Sequence, residues 1–379
     1  MLYVFIIFKK PIIIFSLRFM ANLFNDFYSG KKVLVTGHTG FKGSWLSLLL
    51  KELNANVLGY SLPPNTPLDN FVLTGLENKM TSIIGDVRNY DNLSKVFKEY
   101  NPEIVFHLAA QPLVLTSYKF PKETYDINVG GTTNILEAIR NTDSVKAGVV
   151  ITTDKCYSNK EWDWGYRENE ELGGYDPYSS SKAAAEIVVE GYRKSFFNPE
   201  KKLGKSISSA RAGNVIGGGD WADFRLVPDC IRSLEKNEAI PVRNPKAVRP
   251  WQHVLDPIGG YLLLAYKMHG NEKYSGAWNF GPNEDSIVPV IDVVNGLIKH
   301  WGNGNVDDLS DHDAPHESGL LALDCTKAKK HLGWKPVFNL EDSLALTTEW
   351  YKNYNSMDIS DISYLQIQKY IAAGVKQKW

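Results

Sequence analysis

The sequence predicts an α/β protein, a doubly wound parallel sheet with a smaller C-terminal lobe. Three observations predict it. A short apolar strand, a glycine-rich turn and an apolar helix follow one another from Lys31 to Leu53. Further short apolar runs recur near residues 57, 83, 104 and 147, separated by helix-length segments, which is the pattern of β-α-β units. The chain has 379 residues, 43% of them hydrophobic, which is enough for one large α/β domain with an appended lobe.

Composition excludes several classes. A net formal charge of −1 argues against a nucleic-acid binder that relies on a basic face. The cysteines, Cys156, Cys230 and Cys325, form no C-x-x-C pair, so neither a zinc site nor a disulfide framework is expected, and reduced thiols in the cytoplasm are. His300, His312 and His316 stand in or beside a polar stretch, Gly302 to Gly319, that reads as a surface loop. They lack ligand spacing, and no metal is expected.

The N-terminus is unusual. Two apolar runs, Leu2 to Phe8 and Ile12 to Phe15, are interrupted by Lys9-Lys10-Pro11. A span needs about 20 apolar residues in a row, and a signal peptide would carry its charges before the apolar region. Met20 is the expected true start, with a membrane-surface anchor as the alternative. Residues 1–29 are expected to stand outside the fold. The dinucleotide domain is expected over 30–207, the substrate-binding lobe over 208–356 interleaved with the same sheet, and a tail or helix over 357–379.

The elements follow in order. Lys31 to Thr36 reads as a buried strand. Gly37, Gly40 and Gly43 follow, then Trp45, Leu46, Leu48, Leu49, Leu50 and Leu53 at helical periodicity. The first glycine permits a tight turn, the second lets backbone approach a pyrophosphate, and the third allows close helix packing. The helix N-terminus then offers free N–H groups to phosphates. This Rossmann arrangement predicts nucleotide binding.

The next strand, Asn56 to Tyr60, ends in Ser61-Leu62-Pro63-Pro64, without the ribose-binding acid usual there. No arginine cluster replaces it, although Lys42 lies in the turn, so NAD is favoured over NADP. Ile83 to Arg88 is a third strand carrying Asp86, either an adenine contact or a loop acid. Pro102 to Gln111 is a fourth, ending in Ala109-Ala110; His107 within it reads as a packed core histidine. Tyr125 to Asn134 opens a helix. Ala147 to Thr153 is a fifth strand and delivers Thr153-Asp154-Lys155 at its carboxyl end, where open parallel sheets bind ligands. Cys156 beside it reads as a small buried hydrophobe.

Tyr178 and Lys182 stand four apart in a helix-forming run, on one face and one turn apart. A nearby ammonium lowers a tyrosine's pKa from about 10. Such a pair can take a hydroxyl proton while a hydride leaves the same carbon. The same spacing is common in ordinary helices, so its weight comes from the strand-end triplet upstream.

The motifs in order are Thr36-Gly37-x-x-Gly40-x-x-Gly43, Asp86-Val87, His107-Leu108-Ala109-Ala110, Asn128-Val129-x-Gly131-Thr132, Tyr178-x-x-x-Lys182 and Leu332-Gly333-Trp334-x-Pro336. From about Lys31 to Pro336 the chain resembles the extended short-chain dehydrogenase/reductases. Within them it resembles the nucleotide-sugar 4,6-dehydratases. A lysine as third member of Thr153-Asp154-Lys155, with the turn Gly37-His38-Thr39-Gly40-Phe41-Lys42-Gly43-Ser44, is similar to the branch acting on CDP-glucose. Branches acting on dTDP-glucose or GDP-mannose, and the 4-epimerases, are the neighbouring readings; a non-catalytic NAD-binding regulator is a remote one.

The resemblance implies a redox-neutral reaction with NAD: oxidation at C4, loss of water across C5–C6, and reduction at C6. It implies that Tyr178 takes the O4 proton, Lys182 lowers the tyrosine pKa and holds the nicotinamide ribose, Thr153 positions O4, and Asp154 protonates the departing hydroxyl. Lys155 is base or enolate stabiliser; as a base near neutrality it would need a shift of about three units from 10.4. The cofactor would meet Gly37, Gly40, Phe41, Lys42, Gly43, Asp86, Val87, Leu108, Ala109, Ala110 and Asn128, besides Tyr178 and Lys182. The sugar nucleotide would meet Gln111, Arg211, Asn214, Arg243, Arg249 and Asn283, with Arg249 at the place of the family's phosphate-binding arginine. Pro250 departs from the aspartate usual after that arginine, and His253 reads as structural. A homodimer or dimer-based oligomer, no membrane span, and a role towards deoxysugars of surface polysaccharide such as lipopolysaccharide O antigen complete what the resemblance implies.

Overall fold

A computed structural model describes residues 23–198, 203–310 and 319–379. Its strands are β1 (Lys32–Thr36), β2 (Asn56–Ser61), β3 (Thr81–Ile84), β4 (Ile104–His107), β5 (Ala147–Ile151), β6 (Ser206–Ala212), β7 (Asn214–Ile216), β8 (Ile240–Val242), β9 (Val248–His253), β10 (Gly276–Phe280), β11 (Ile287–Pro289) and β12 (Val306–Asp308). The main sheet has the order β10-β6-β5-β4-β1-β2-β3, and its pairings are parallel.

The chain winds from β1 outward to β3, then crosses back to β4 on the other side of β1. That reversal is the switch point where such sheets bind ligands. The inner strands are apolar on both faces because helices cover both. Val33, Val35, Phe106 and Val149 pack into one core. Leu34, Val105 and Val150, one residue out of step, pack into the other. The helix Phe41–Glu52 buries Trp45, Leu46, Leu49 and Leu50 completely, a stabilisation of about 1.5–3 kcal/mol for each large side chain.

The helix Pro177–Ser195 starts where it does for local reasons. Asp176 caps it, accepting from the Ser179 backbone N–H at 2.9 Å and the Ser179 hydroxyl at 2.6 Å. Pro177 occupies the first turn, where its missing N–H costs nothing. This start sets Tyr178 beside the sheet's carboxyl edge.

The lobe holds a three-stranded sheet, β11-β9-β7, and a two-stranded one, β12-β8. The boundary at 207 falls inside β6, and β10 returns from the lobe region to the main sheet. Residues 23–29 are not outside the fold. Leu23, Phe24 and Tyr28 are buried, the Tyr28 hydroxyl donates to the Leu262 carbonyl at 2.7 Å, and the Phe24 N–H donates to the Trp379 carbonyl at 3.2 Å. The expectation about Met20 lies outside the described residues. The last segment is a helix, Ile359–Lys376, with Ile362, Ile367, Tyr370 and Ile371 buried. Finally, the polar stretch after Gly302 contains β12, which pairs with β8; His312 and His316 lie outside the described residues.

Candidate active site

The glycine turn is built by steric necessity at two of its three glycines. Gly37 has φ +73°, and a Cβ there would come 2.7 Å from the Ala109 backbone nitrogen. A Cβ on Gly43 would come 2.0 Å from the Gly37 carbonyl oxygen. At Gly40 nothing comes closer than 3.4 Å, so the middle of the turn stays open. Gly40 caps the helix without a side chain, which leaves the first-turn N–H groups of Phe41, Lys42 and Gly43 for an anion. These features fit the pyrophosphate of a dinucleotide. Leu108 and Ala109 approach from β4, their N–H groups directed at the Thr36 hydroxyl, and Ala110 follows. Val87 packs on Gly131, where a Cβ would meet it at 2.7 Å.

Asp86 lies past the end of β3, not on it. Its two oxygens accept from the Arg88 backbone and guanidinium at 2.6–2.9 Å, so the loop-acid reading accounts for its geometry. His38, in the glycine turn, packs against β2, a contact that sequence reasoning missed. Its ring lies over Gly59, where a Cβ would come within 2.2 Å, and Nε2 pairs with the Ser82 hydroxyl at 2.7 Å. The signal was available: Gly59 is a lone glycine inside an apolar strand. His107 is a satisfied core histidine, with Nδ1 on Thr36 and Nε2 on Thr132. His253 is buried between Trp45 and Phe338.

β5 delivers Thr153, Asp154 and Lys155 into a short turn facing the Tyr178 helix. The Thr153 hydroxyl donates to Asp154 Oδ1 at 3.0 Å and reaches the Tyr178 phenol. Asp154 is 2% exposed, and its Oδ2 has no hydrogen-bond partner among the described residues. Burial pushes its carboxyl above the usual range, against the pull of Lys155 and the Thr153 hydrogen bond. A Cβ on Gly213 would stand 3.1 Å from Oδ2, so glycine keeps that oxygen clear. Lys155 is half-buried. Cys156 is fully buried, and burial drives its thiol well above the ordinary value.

Tyr178 is buried. Burial pushes its phenol up to about 12; the Thr153 hydrogen bond opposes, Asp154 adds to the rise, and Arg225 also opposes. The Lys182 ammonium donates to the Ile151 carbonyl at 3.2 Å, and burial lowers its pKa to about 8, with Glu186 opposing. Arg225, paired with Asp220 at 2.8 Å, is a second residue missed from sequence, where it looked like any arginine near a helix start. Lys42 is half-buried; burial lowers it to about 8, with Arg225 and Lys182 adding and Asp154 opposing.

Several predicted ligands turn out to hold the chain itself. Asn128 is buried and accepts from the Gln111 backbone N–H at 2.9 Å; its amide donates to the Gln111 carbonyl and the Ser181 hydroxyl. It ties the loop after β4 to the Tyr178 helix. The Gln111 side chain folds back on Leu113 and Thr124. Arg211 is 2% exposed and ion-paired to Glu186 at 2.7 Å.

The other expected substrate residues differ from one another. Asn214 is half-buried at the start of β7. Arg249 is buried and donates to the Val248 and Gly319 carbonyls, with its charge acting on Asp154. Arg243 is exposed, its guanidinium 6.0 Å from the Phe224 ring centre. Asn283 is exposed and accepts from Lys329 at 3.4 Å. Pro250 packs against Gly213, where a Cβ would meet the ring at 2.6 Å.

Comparison with known proteins agrees with this geometry. A family model described as GDP-mannose 4,6 dehydratase matches residues 34–347. A CDP-glucose 4,6-dehydratase of Salmonella typhimurium is 47% identical over 355 residues, covering 93% of this chain and 99% of that protein. Among solved structures, a dTDP-glucose 4,6-dehydratase from Bacillus anthracis in complex with NAD superposes with a TM-score of 0.71 at 23% identity, covering 86% of this chain and 97% of the other. A UDP-glucose 4-epimerase from Thermotoga maritima superposes with a TM-score of 0.75 at 23% identity, covering 86% and 99%. The two solved structures share the fold.

Proposed function

The chain belongs to the GDP-mannose 4,6 dehydratase family, and from that premise we propose that it is a CDP-glucose 4,6-dehydratase using NAD. The observation that carries this is Asp154. A buried carboxyl whose burial favours the protonated form, with one oxygen unpartnered among the described residues, suits the expulsion of a hydroxyl from C6. A 4-epimerase needs no such acid. The choice of CDP-glucose is supported by the relative at 47% identity over nearly the whole chain.

Bound NAD⁺ supplies the hydride acceptor for C4 and a positive charge. Tyr178 takes the O4 proton, and Thr153, bonded to both Tyr178 and Asp154, holds the O4 hydroxyl between them. Ionising a phenol near 12 at neutral pH needs added positive charge, which Arg225 begins to supply. Once C4 is a ketone, the C5 proton is acidic. Lys155 acts there, as base or as the cation beside the enolate. Asp154 gives its proton to the departing C6 hydroxyl. Arg249 matches the substrate diphosphate in charge and fork geometry, with Asn214 beside it in the lobe. Lys182 holds the nicotinamide ribose.

The product is a precursor of deoxysugars in surface polysaccharide. The three cysteines are free and buried, in keeping with a reducing cytoplasm, and no helix among the described residues is long and apolar enough to cross a membrane. A homodimer is supported by exposed Tyr118, Phe120 and Tyr125 next to the Tyr178 helix, which itself exposes Ile187.

The test is incubation with NAD⁺ and CDP-glucose, in parallel with dTDP-glucose, GDP-mannose and UDP-glucose, following the 4-keto product. Water loss with CDP-glucose is the expected result. A preference for another nucleotide would move the specificity, and a 4-epimer without dehydration would overturn the reading of Asp154 and Lys155. Lys155→Ala is expected to retain C4 oxidation and lose dehydration.

A further inference from the structure

Glu186 and Arg211 are two charged side chains that this chemistry leaves unused. Both are 3% exposed and paired at 2.7 Å. A buried ion pair is weak evidence for stability, because desolvation offsets most of the attraction. Its further partners say what it does. Glu186 accepts from the Thr152 hydroxyl at 2.5 Å and the Ser209 hydroxyl at 2.7 Å. Arg211 donates to the Tyr157 hydroxyl at 2.7 Å and the Glu168 carbonyl at 3.1 Å. Its guanidinium also lies 4.8 Å from the Tyr157 ring centre.

These partners flank the catalytic triplet. Thr152 immediately precedes Thr153-Asp154-Lys155, and Tyr157 follows just beyond it. Tyr157 is braced on its other side by stacking on Tyr166 at 5.1 Å and by donating to Asn279 at 2.8 Å. Glu186 stands on the helix Pro177–Ser195, one turn past Lys182 and two past Tyr178, on the same face. Burial works against its ionised form, but Arg211 and the two hydroxyls hold it below the usual carboxylate range, so a fixed charge sits at the centre of the clamp.

We propose that Glu186 and Arg211 are positioning residues that fasten both ends of the Thr153–Lys155 turn to the helix bearing Tyr178 and Lys182. The clamp sets the spacing of the phenol, the Thr153 hydroxyl and the Asp154 carboxyl. This rests on the proposed dehydratase reading and adds to it the residues that hold the reacting groups in register.

The variant of choice is Arg211→Lys, which keeps a cation for Glu186 but lacks the fork that reaches Glu186 through one nitrogen and Tyr157 and the Glu168 carbonyl through the other. Titration calorimetry with CDP measures substrate-site affinity and the number of sites, without turnover. Single-turnover oxidation of CDP-6-deoxyglucose measures register. This analogue gives its C4 hydride to NAD⁺ and its O4 proton to Tyr178, but has no C6 hydroxyl to lose, so the reduced nicotinamide persists and is read by absorbance. The expected result is an unchanged CDP Kd and an oxidation rate about 100-fold lower, the effect of a misplacement near 1 Å. Partial unfolding would lower the amplitude and the number of CDP sites without slowing the rate. A raised Kd with an unchanged rate would make Arg211 a substrate ligand and overturn the proposal; so would no change in either. If Arg211→Lys does not fold, Tyr157→Phe removes one hydroxyl of the clamp. It is expected to oxidise the analogue about tenfold more slowly, and an unchanged rate there would equally overturn the clamp. Wild type tests the activity separately. Its failure to oxidise the analogue would count against the dehydratase reading, whereas the clamp is judged from the ratio of variant to wild type.

Discussion

Two groups of polar side chains around the site serve opposite ends: a front group left open, and a rear group already bonded to the chain. At the front, Asp154 keeps a carboxyl oxygen without a partner among the described residues. At the rear, Asn128, Gln111 and Arg211 bond to the chain itself. A polar side chain near a strand's carboxyl end is therefore not by type a ligand. What decides is whether backbone or another side chain already stands within hydrogen-bond distance of it.

The largest expected effect is at the front. Asp154→Asn cannot donate the proton that expels the C6 hydroxyl. Dehydration of CDP-glucose is expected to fall about 10²- to 10⁴-fold, while C4 oxidation continues and reduced nicotinamide accumulates in single-turnover absorbance. An equal loss of both steps would move Asp154 to the rear class. Next comes the cofactor turn. Gly43→Ala forces a Cβ to 2.0 Å from the Gly37 carbonyl oxygen, an overpacking of about 1–3 kcal/mol. Dinucleotide affinity, read by tryptophan fluorescence on titration with NAD⁺, is expected to weaken.

The rear group predicts the reverse signature. Asn128→Ala leaves the Gln111 backbone N–H without its partner, and about 1–3 kcal/mol of stability is expected to go, measured from urea midpoints. Intact stability with a weakened NAD Kd would restore Asn128 to the cofactor ligands. The smallest effect concerns Asp256, a buried carboxyl like Asp154 but with both oxygens accepting backbone N–H groups, from Val337 at 2.6 Å and Phe338 at 3.3 Å. Burial nonetheless pushes it up to about 7, against those two hydrogen bonds. The folded state thus favours its protonated form. Its contribution is full below the ordinary value of about 3.9 and is lost as pH rises through about 7. Urea midpoints across that window are expected to fall less steeply with pH in Asp256→Asn than in wild type.

Legibility followed the range of the interaction. The glycine turn could be read because Gly37 and Gly43 answer to neighbours in the turn and to the strand packed beside it. Tyr178 and Lys182 could be read because four residues is one helical turn. The partner of Arg211 could not be read, because its motif position says nothing of Glu186, 25 positions earlier. Nor could that of Gln111, because Thr124 lies across the loop that it closes. Glu186 carried a signal, the next turn after Lys182, but a glutamate in a helix most often faces water.

By itself the sequence determined the parallel sheet, the dinucleotide turn and the pairing of a strand-end triplet with Tyr178 and Lys182. These rest on hydrophobic periodicity and on spacing within single elements, which side-chain chemistry and backbone sterics dictate locally. Tertiary structure alone decided which polar groups stay free for chemistry. It also brought residues 23–28 into the core, where Tyr28 bonds to Leu262, 234 positions away. Burial and hydrogen-bond satisfaction are settled by whatever the fold brings alongside, and partners so far apart in the chain leave no periodic trace in it.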